Sequence, residues 1–116
     1  MRTLNWDDLD WIIKRWGGKV ILKGIQDVED AKMAVKTGAD AIIVSNHGGR
    51  QLDGALSSIR SLPSIIDAVG DQIEVWMDGG IRSGQDVAKA VSLGAKGVMI
   101  GRQFIYGLGA MGKKGV

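Results

Sequence analysis

The sequence lacks cysteine altogether, and it has one proline and one histidine in 116 residues. Without cysteine the chain has no disulfide, no thiolate metal site and no catalytic thiol. Long apolar runs are also missing, since none approaches the roughly 18 residues of a membrane-spanning helix. The opening residues, Met1-Arg2-Thr3, do not lead into a signal peptide. These absences are compatible with a reducing, cytoplasmic setting.

The composition favours a folded domain and argues against nucleic acid as a partner. Hydrophobic residues make up 45% of the chain, and the net charge is +2 at pH 7. The basic residues are dispersed, so they form no nucleic-acid footprint. Four tryptophans are predicted to be packing residues: Trp6, Trp11, Trp16 and Trp76. The length suits one domain, although it is only about half of the ~250 residues of a (β/α)₈ barrel.

Strand-like apolar runs alternate with helical patterns along the chain. The predicted strands cover residues 19–23, 41–44, 74–77 and 96–100. The predicted helices cover residues 5–16, 27–37, 59–69 and 83–93. The third helix is expected to have a short first turn before Pro63 and its main part from Pro63 onward. The glycine-rich tail, residues 107–116, shows no helical pattern.

Ligand-type residues follow the carboxyl end of every predicted strand, and this placement decides between two architectures. They are Lys23, His47 with Arg50, Asp78 to Arg82, and Gly101-Arg102. A (β/α)₈ barrel collects these strand ends at one face, where active sites form. A doubly wound sheet would more often show a single dominant glycine loop. The predicted fold is therefore α/β: half of a (β/α)₈ TIM barrel, with four parallel strands and intervening helices.

The segment from Ser45 to Asp53 carries the strongest chemical signal. It contains the sole histidine, His47, which lies three residues before Arg50 with two glycines between them. An imidazole can accept a proton near neutral pH, and a guanidinium can hold an anionic substrate. The alternative is a structural histidine that is hydrogen-bonded to backbone. Gln51 and Asp53 are predicted to order this loop.

Two later glycine motifs indicate a phosphate site. Gly79, Gly80 and Gly84 frame a loop before a predicted helix N-terminus, where backbone N–H groups and Arg82 can meet an anion. The pair Gly101-Arg102 follows the next strand and can close the same site. The alternative for each motif is a tight turn beside a solvated arginine.

Two further charged residues, Lys23 and Asp78, are open to two interpretations each. Lys23 can stabilise an anion that develops on a ligand, or it can be a solvent-facing lysine at the end of a strand. Asp78 can bind a ribityl or ribose hydroxyl, or it can cap the glycine loop. No residue spacing suggests a metal site.

These motifs together resemble the FMN-dependent α-hydroxy acid dehydrogenase/oxidase family, which includes L-lactate dehydrogenase, mandelate dehydrogenase and glycolate oxidase. The matching segments are Leu22-Lys23-Gly24, Ser45 to Asp53, Asp78 to Arg82, and Ile100-Gly101-Arg102. The resemblance covers nearly all of the chain. Residues 1–116 correspond to the C-terminal part of such a domain, namely barrel strands five to eight.

The resemblance implies a role for each matching residue. Lys23 would lie beside the N1/O2 edge of the flavin, and Ser45 would contact FMN. His47 would remove a proton from the 2-hydroxy acid, and Arg50 would hold the carboxylate of this substrate. The ribityl-phosphate arm would be bound by Asp78, Gly79, Gly80, Ile81, Arg82, Gly101 and Arg102.

The function implied is FMN-dependent oxidation of a small, lactate-like L-2-hydroxy acid to the 2-oxo acid, as part of a larger barrel. One alternative is a non-catalytic half barrel that binds flavin or phosphate. Another is a barrel enzyme for a phosphorylated metabolite, against which the segment with His47 and Arg50 argues. The resemblance also implies a location in the cytoplasm or at the periphery of the inner membrane.

The expected partners are a 2-hydroxy acid substrate and the remainder of the barrel, with no nucleic acid. In the family the N-terminal half supplies further flavin contacts, active-site tyrosines, a second substrate arginine and an aspartate that orients the histidine. A half barrel leaves two open sheet edges, so self-association is the other expectation. Family members are often homotetrameric.

Overall fold

Four parallel strands alternate with helices along residues 4–116, which are the residues that this computed structural model describes. The strands are β1 (Ile21–Ile25), β2 (Ala41–Val44), β3 (Glu74–Asp78) and β4 (Gly97–Met99). The α-helices are α1 (Trp6–Trp16), α2 (Val28–Thr37), α3 (Ser58–Val69), α4 (Gly84–Ser92) and α5 (Arg102–Met111). Two short 3₁₀ helices cover His47–Gly49 and Gly112–Gly115.

The strands form one sheet in the order β1-β2-β3-β4, and each neighbouring pair is parallel. A doubly wound sheet reverses its strand order at a switch point, whereas a barrel adds each strand next to the preceding one. The order therefore favours the barrel over the doubly wound sheet. Each strand except β4 is followed by a helix that leads back to the start of the next strand, as in the predicted alternation.

Capping residues fix the ends of the first two helices. Asn5 accepts hydrogen bonds from the N–H groups of Asp7 and Asp8 at 2.9 and 3.2 Å, and Asp8 accepts one from the Asn5 N–H at 3.1 Å. This reciprocal arrangement is a capping box. Asp27 likewise accepts a hydrogen bond from the Glu29 N–H at 2.8 Å and begins α2, and Gly38 ends that helix in the left-handed conformation.

The core lies between the sheet and the helices α2, α3 and α4. All four residues of β2 are buried, because this strand has neighbours on both sides and is covered by helices. The buried apolar cluster comprises Ile25, Ala31, Ala34, Ile42, Val44, Leu62, Ile65, Val69, Ile73, Val75, Met77, Ile81, Ala90 and Ala95. This core fixes the sheet, and therefore the positions of the strand ends.

The structure corrects the prediction for the segment around Pro63. Helix α3 runs without interruption from Ser58 to Val69, with Pro63 inside it. Proline removes one backbone hydrogen bond from a helix interior. Leu62 and Ile65 on either side of it are fully buried. Their packing against the sheet holds the helix together and compensates for the lost bond, as tertiary packing commonly does.

The prediction of a tail without helix is wrong. Helix α5 occupies Arg102–Met111, and a 3₁₀ turn follows. The glycines of the tail obscured the helical spacing of the apolar residues Phe104, Leu108 and Met111. A glycine costs a helix only about 1 kcal/mol relative to alanine, so it does not prevent helix formation. Strand bounds also shift: β1 begins two residues later than predicted and continues beyond Lys23 to Ile25.

Two of the four tryptophans do not pack as predicted. Trp11 and Trp16 are 67% and 69% exposed, on the outer face of α1. Trp6 and Trp76 are half-buried, and Trp6 packs against the core. Helix α1 lies on the outside of the molecule and fully buries none of its residues, so its apolar side chains Trp11, Ile12 and Trp16 are exposed within residues 4–116.

Both edges of the sheet are open within the described residues, because β1 and β4 each pair on one side only. Ile21 and Met99, on these two strands, are exposed. Such edges are available for pairing with further strands. No helix within residues 4–116 has the length and hydrophobicity to cross a membrane. The predicted absence of a signal peptide depends on residues 1–3, which lie outside the described part.

Candidate functional site

The carboxyl ends of the four parallel strands meet at one edge of the sheet and surround a cavity of about 700 Å³. This volume is in the range of cofactor and ligand sites. Every predicted site residue except Ser45 lines it: Lys23, His47, Arg50, Asp78, Gly79, Gly80, Ile81, Arg82, Gly101 and Arg102. These residues come from four segments that lie far apart in the sequence, and they therefore belong to one site.

Lys23 lies in the cavity wall and is held by residues at the ends of β2 and β3. Its Nζ lies 2.9 Å from Oδ2 of Asp78 and donates a hydrogen bond to Oγ of Ser45, also at 2.9 Å. The side chain of Asp78 is only 18% exposed. Lys23 is therefore a fixed cation beside the cavity, in contrast to the alternative of a freely solvated lysine.

Ser45 lies beneath the cavity and is almost fully buried. Its Oγ accepts hydrogen bonds from Lys23 Nζ at 2.9 Å and from the His47 N–H at 3.1 Å. One hydroxyl thus connects the charged end of Lys23 to the backbone that carries the imidazole. Ser45 lines a second, smaller cavity on the other side of His47, with a volume of about 270 Å³.

His47 has a left-handed backbone with φ +56°, alone in this respect among the non-glycine residues between positions 4 and 116. Such a conformation is uncommon outside glycine, and strained residues are concentrated at functional sites. The Nε of Arg50 donates to the carbonyl oxygen of His47 at 2.9 Å. The bond holds the two residues of the predicted substrate site together within one short 3₁₀ turn.

Asn46 and Ser58 are structural supports of the site that the sequence analysis did not identify. The Asn46 N–H donates to Ser58 Oγ at 3.2 Å, and the Asn46 side chain accepts from the Gly48 N–H at 3.0 Å and donates to the Leu56 carbonyl at 3.3 Å. A Cβ on Gly79 would lie 3.1 Å from Ser58 Oγ. A side chain at position 79 would therefore press on the Ser58 hydroxyl, and the φ of +92° favours glycine there as well.

The prediction that Gln51 and Asp53 order the histidine loop is wrong in its choice of residues. Within the described part of the chain, this loop is held by side-chain bonds from Asn46, Arg50 and Arg102 and by the hydroxyls of Ser45 and Ser58. Asp53 accepts a hydrogen bond from its neighbour Gly54 at 3.1 Å, and Gln51 is exposed. Asn46 lies in the same segment, Ser45 to Asp53. Its side-chain amide, directly before the histidine, could have indicated the residue that orders the loop.

Arg102 connects the last motif to the histidine loop. Its Nη2 donates to the carbonyl oxygen of Gly48 at 3.1 Å, across 54 residues of sequence. Gly48 has φ +68°, and a Cβ there would lie 2.5 Å from the same nitrogen. Arg102 therefore spans the cavity from the start of α5 to the turn that holds His47.

The glycine loop after β3 has the features of a ligand cradle. Gly79 and Gly80 have φ values of +92° and +77°, so this backbone bends in a way that other residues rarely adopt. Oδ1 of Asp78 is buried and has no hydrogen-bond partner within residues 4–116. A buried acceptor without a partner is costly, and a ligand hydroxyl would satisfy it. Arg82 is exposed at the rim of this loop.

Asp86 caps helix α4 next to this loop and forms a capping box with Ser83. Its Oδ2 accepts hydrogen bonds from the N–H groups of Arg82 at 3.0 Å and Ser83 at 3.1 Å. The backbone bond from Arg82 is the main cause that lowers the pKa of Asp86 below 3.8, and bonds from Ser83 add to it. Because these two N–H groups are occupied, an anion here would depend more on the arginine side chains.

Replacing Asp86 with alanine is expected to destabilise the fold at neutral pH and to have less effect in acid. A carboxylate whose folded pKa is lowered contributes stability above its unfolded pKa, and this contribution is lost as the pH falls through the folded pKa. Urea midpoints of both proteins at neutral pH and below pH 3.8 would measure this. Asp67→Ala, at an exposed position of α3, is the control. A difference between Asp86→Ala and the unmodified chain that stays constant with pH would contradict the prediction.

Metal chemistry has no support in the arrangement of the described side chains. Residues 4–116 contain no group of three or more histidine, cysteine, aspartate or glutamate side chains that could hold a metal ion. The charged groups around the cavity are instead two lysines, three arginines and two aspartates. They suit an anionic organic ligand, because guanidinium and ammonium groups recognise phosphates and carboxylates.

Comparisons with known proteins point to one family. A family model described as FMN-dependent dehydrogenase matches residues 1–116. The chain is 60% identical over 114 residues to the L-lactate dehydrogenase of Caulobacter sp. (strain K31), covering 98% of this chain and 30% of the relative. It is 58% identical over 112 residues to the pre-mycofactocin synthase of Mycobacterium tuberculosis (strain ATCC 25618 / H37Rv), covering 97% and 28%.

Solved structures give the same result for the fold. The crystal structure of mandelate oxidase with (S)-2-phenylpropionate matches with a TM-score of 0.94 and 48% identity, covering 100% of this chain and 35% of that one. The complex of the same enzyme with benzoyl-formic acid gives the same values. The chain thus spans about 30% of the length of the curated relatives that it matches. The prediction of a partial (β/α)₈ barrel is confirmed.

Proposed function

The chain belongs to the FMN-dependent dehydrogenase family, and on that premise we propose that it forms the cofactor and proton-transfer part of a 2-hydroxy acid oxidoreductase. The observation that carries this proposal is the meeting of Lys23, His47 and Arg50 in the cavity that the glycine loop also lines. A fixed cation, a proton acceptor and a carboxylate-binding guanidinium are what the oxidation of a 2-hydroxy acid requires.

The residues present fit FMN. Asp78 offers a buried acceptor without a partner to a ribityl hydroxyl, and the cradle after it leaves room for a phosphate beside Arg82 and Arg102. Gly79, Gly80, Ile81 and Gly101 would complete this wall, and Ser45 would support the flavin edge through Lys23. When bound, FMN supplies the two-electron acceptor for the reaction.

Arg50 and His47 would act on the substrate, and Lys23 would act on the flavin. Arg50 would pair with the substrate carboxylate. The hydrogen bond from its Nε to the His47 carbonyl keeps the guanidinium close to His47. His47 would accept the proton that the 2-hydroxy acid loses. Lys23 would stabilise negative charge at the flavin edge, because its own position is fixed by Ser45 and Asp78.

We propose a small, lactate-like acid as the substrate. The L-lactate dehydrogenase relative is 60% identical to this chain, against 48% for mandelate oxidase, which supports the smaller substrate. Direct assay with L-lactate and mandelate side by side tests this proposal.

Arg82→Ala is expected to weaken FMN binding about tenfold or more, since a charge-assisted hydrogen bond to a phosphate contributes about 1.5–3 kcal/mol. The measurement is a titration of the purified chain with FMN, followed by quenching of flavin fluorescence. Arg60→Ala is the matched control, because Arg60 lies exposed on α3 and does not line the cavity.

Three outcomes of this titration are informative. Saturable binding that is lost only in Arg82→Ala supports the proposed cofactor site, and anaerobic bleaching by L-lactate is then the next assay. Binding without bleaching favours a non-catalytic flavin-binding half barrel. No saturable binding by the unmodified chain, or equal binding by both variants, is incompatible with the proposed phosphate site.

A further inference from the structure

Strand β1 has an irregularity directly after Lys23. Its residues pair with β2 in a regular register up to Lys23 and Ile43, and the register then shifts so that Ile25 pairs with Val44. Gly24 is the additional residue, with φ +98°. An extra residue in one strand is a bulge, and bulges near sites redirect the side chains around them.

The imidazole of His47 lies against this bulge. A Cβ atom built on Gly24 would lie 2.5 Å from Cε1 of His47, 3.3 Å from Nε2 and 3.5 Å from Nδ1. The first distance is far below a van der Waals contact. The ring edge that carries both nitrogens therefore occupies the space that any other residue at position 24 would fill with its own side chain.

The backbone of His47 is restrained from a second direction. Its N–H donates to Ser45 Oγ, and the same oxygen accepts from Lys23 Nζ. The residue directly before Gly24 and the residue that Gly24 contacts are thus bound to one hydroxyl. Together with the left-handed φ of His47, this leaves the ring little freedom to turn once Gly24 is in contact with it.

We propose that Gly24 is a positioning residue that fixes the orientation of the His47 imidazole beside the end of β1. The inference rests on the proposed function of His47 as the proton acceptor, and it adds a residue that acts only through that ring. The bulge therefore affects two parts of the site. Lys23 contacts Asp78 directly before it, and Gly24 within it contacts His47.

The competing explanation is that Gly24 serves only the bend of the strand. An L-residue at positive φ is strained even in open space, with an expected loss of a factor of about 5 to 30 in the folding equilibrium. Gly38 provides a matched control: its φ is +79° and a Cβ there would meet nothing within 4 Å. Gly38→Ala therefore measures the backbone effect alone, without the histidine.

The first test is nuclear magnetic resonance on the 116-residue chain, in which His47 is the sole histidine. In the unmodified chain, a nuclear Overhauser contact is expected between the Gly24 Hα protons and the His47 Hε1 proton. Gly24→Ala should shift the Hε1 resonance and the two ring nitrogen resonances, while Gly38→Ala leaves them in place. Unshifted ring signals in Gly24→Ala would overturn the proposal.

The second test is a double-mutant cycle with His47→Ala, measured by urea unfolding. If the ring is the obstacle, Gly24→Ala in the His47→Ala background should lose no more than Gly38→Ala loses. If Gly24→Ala alone does not fold, folding of the double variant supports the proposal. An equal loss with and without His47, or failure of both proteins to fold, means that Gly24 acts through the strand alone.

FMN titration of the same samples separates this proposal from the proposed function. Failure of the unmodified chain to bind FMN would count against the cofactor site, while the ring signals and the cycle would still decide the role of Gly24. Where FMN binds, Gly24→Ala is expected to retain binding and to lose bleaching by L-lactate. Bleaching at an unchanged rate in Gly24→Ala would contradict positioning.

Discussion

Replacing His47 with asparagine is expected to slow the reduction of bound FMN by L-lactate by a factor of about 10²–10⁴. His47 lines the cavity, and histidine is the side chain that most often serves as a general base. Asparagine is the appropriate replacement because it tolerates the left-handed backbone that this position requires, with φ +56°. The loss should therefore reflect the missing proton acceptor and not a rearranged loop.

The measurement is anaerobic mixing of the FMN-loaded protein with L-lactate, followed by the flavin absorbance. FMN affinity of the His47→Asn variant should stay close to that of the unmodified chain, because the phosphate and ribityl contacts lie on other loops. Asp53→Asn is the control, since it removes a charged group from the same exposed segment without touching the cavity. Reduction of the flavin at an undiminished rate in His47→Asn would exclude His47 as the base.

Truncation of Ile42 to alanine is expected to destabilise the fold by about 2–5 kcal/mol. Ile42 lies in the middle of β2, where it is fully buried, so its truncation leaves a cavity in the core. A domain of this size has a total stability of about 5–15 kcal/mol. The variant should thus retain only a small free energy of unfolding, and it should release FMN as it unfolds.

Urea unfolding of both proteins measures this difference, with Ile21→Ala as the matched control. Ile21 is the same residue type on the neighbouring edge strand, but it is 51% exposed, so its truncation should cost less than about 1 kcal/mol. The series is repeated at several protein concentrations, because open sheet edges favour association and association would raise the midpoint. Equal losses at both positions would show that β2 is not the centre of the core.

The strand and helix bounds that could be predicted are those with a local physical cause. The capping pairs of α1 and α4 and the apolar run of β2 each depend on residues within one element. The grouping of the site also followed from the sequence, because the carboxyl ends of parallel strands must meet at one edge. Lys23, His47 and Arg102 are therefore found together although 79 residues separate the first from the last.

The features that were missed depend on contacts between distant residues. Pro63 is tolerated within α3 because of the buried neighbours Leu62 and Ile65, which a local pattern does not reveal. The support of Asn46 by Ser58 depends on where α3 begins relative to β2. The contact of Gly24 with His47 joins residues whose spacing in the sequence carries no signal. Tertiary packing, and not local propensity, decides each of these cases.

The sequential strand order has a consequence for the time at which the site is completed. Every strand pairs only with its neighbours in the sequence, so each strand finds its partner already present in the preceding part of the chain. During synthesis β1, β2 and β3 can associate in the order in which they leave the ribosome. The cavity wall closes only when Arg102 reaches the Gly48 carbonyl. A ribosome-bound chain that ends before α5 would thus hold the sheet, the histidine turn and the glycine loop, with the site still open on one side.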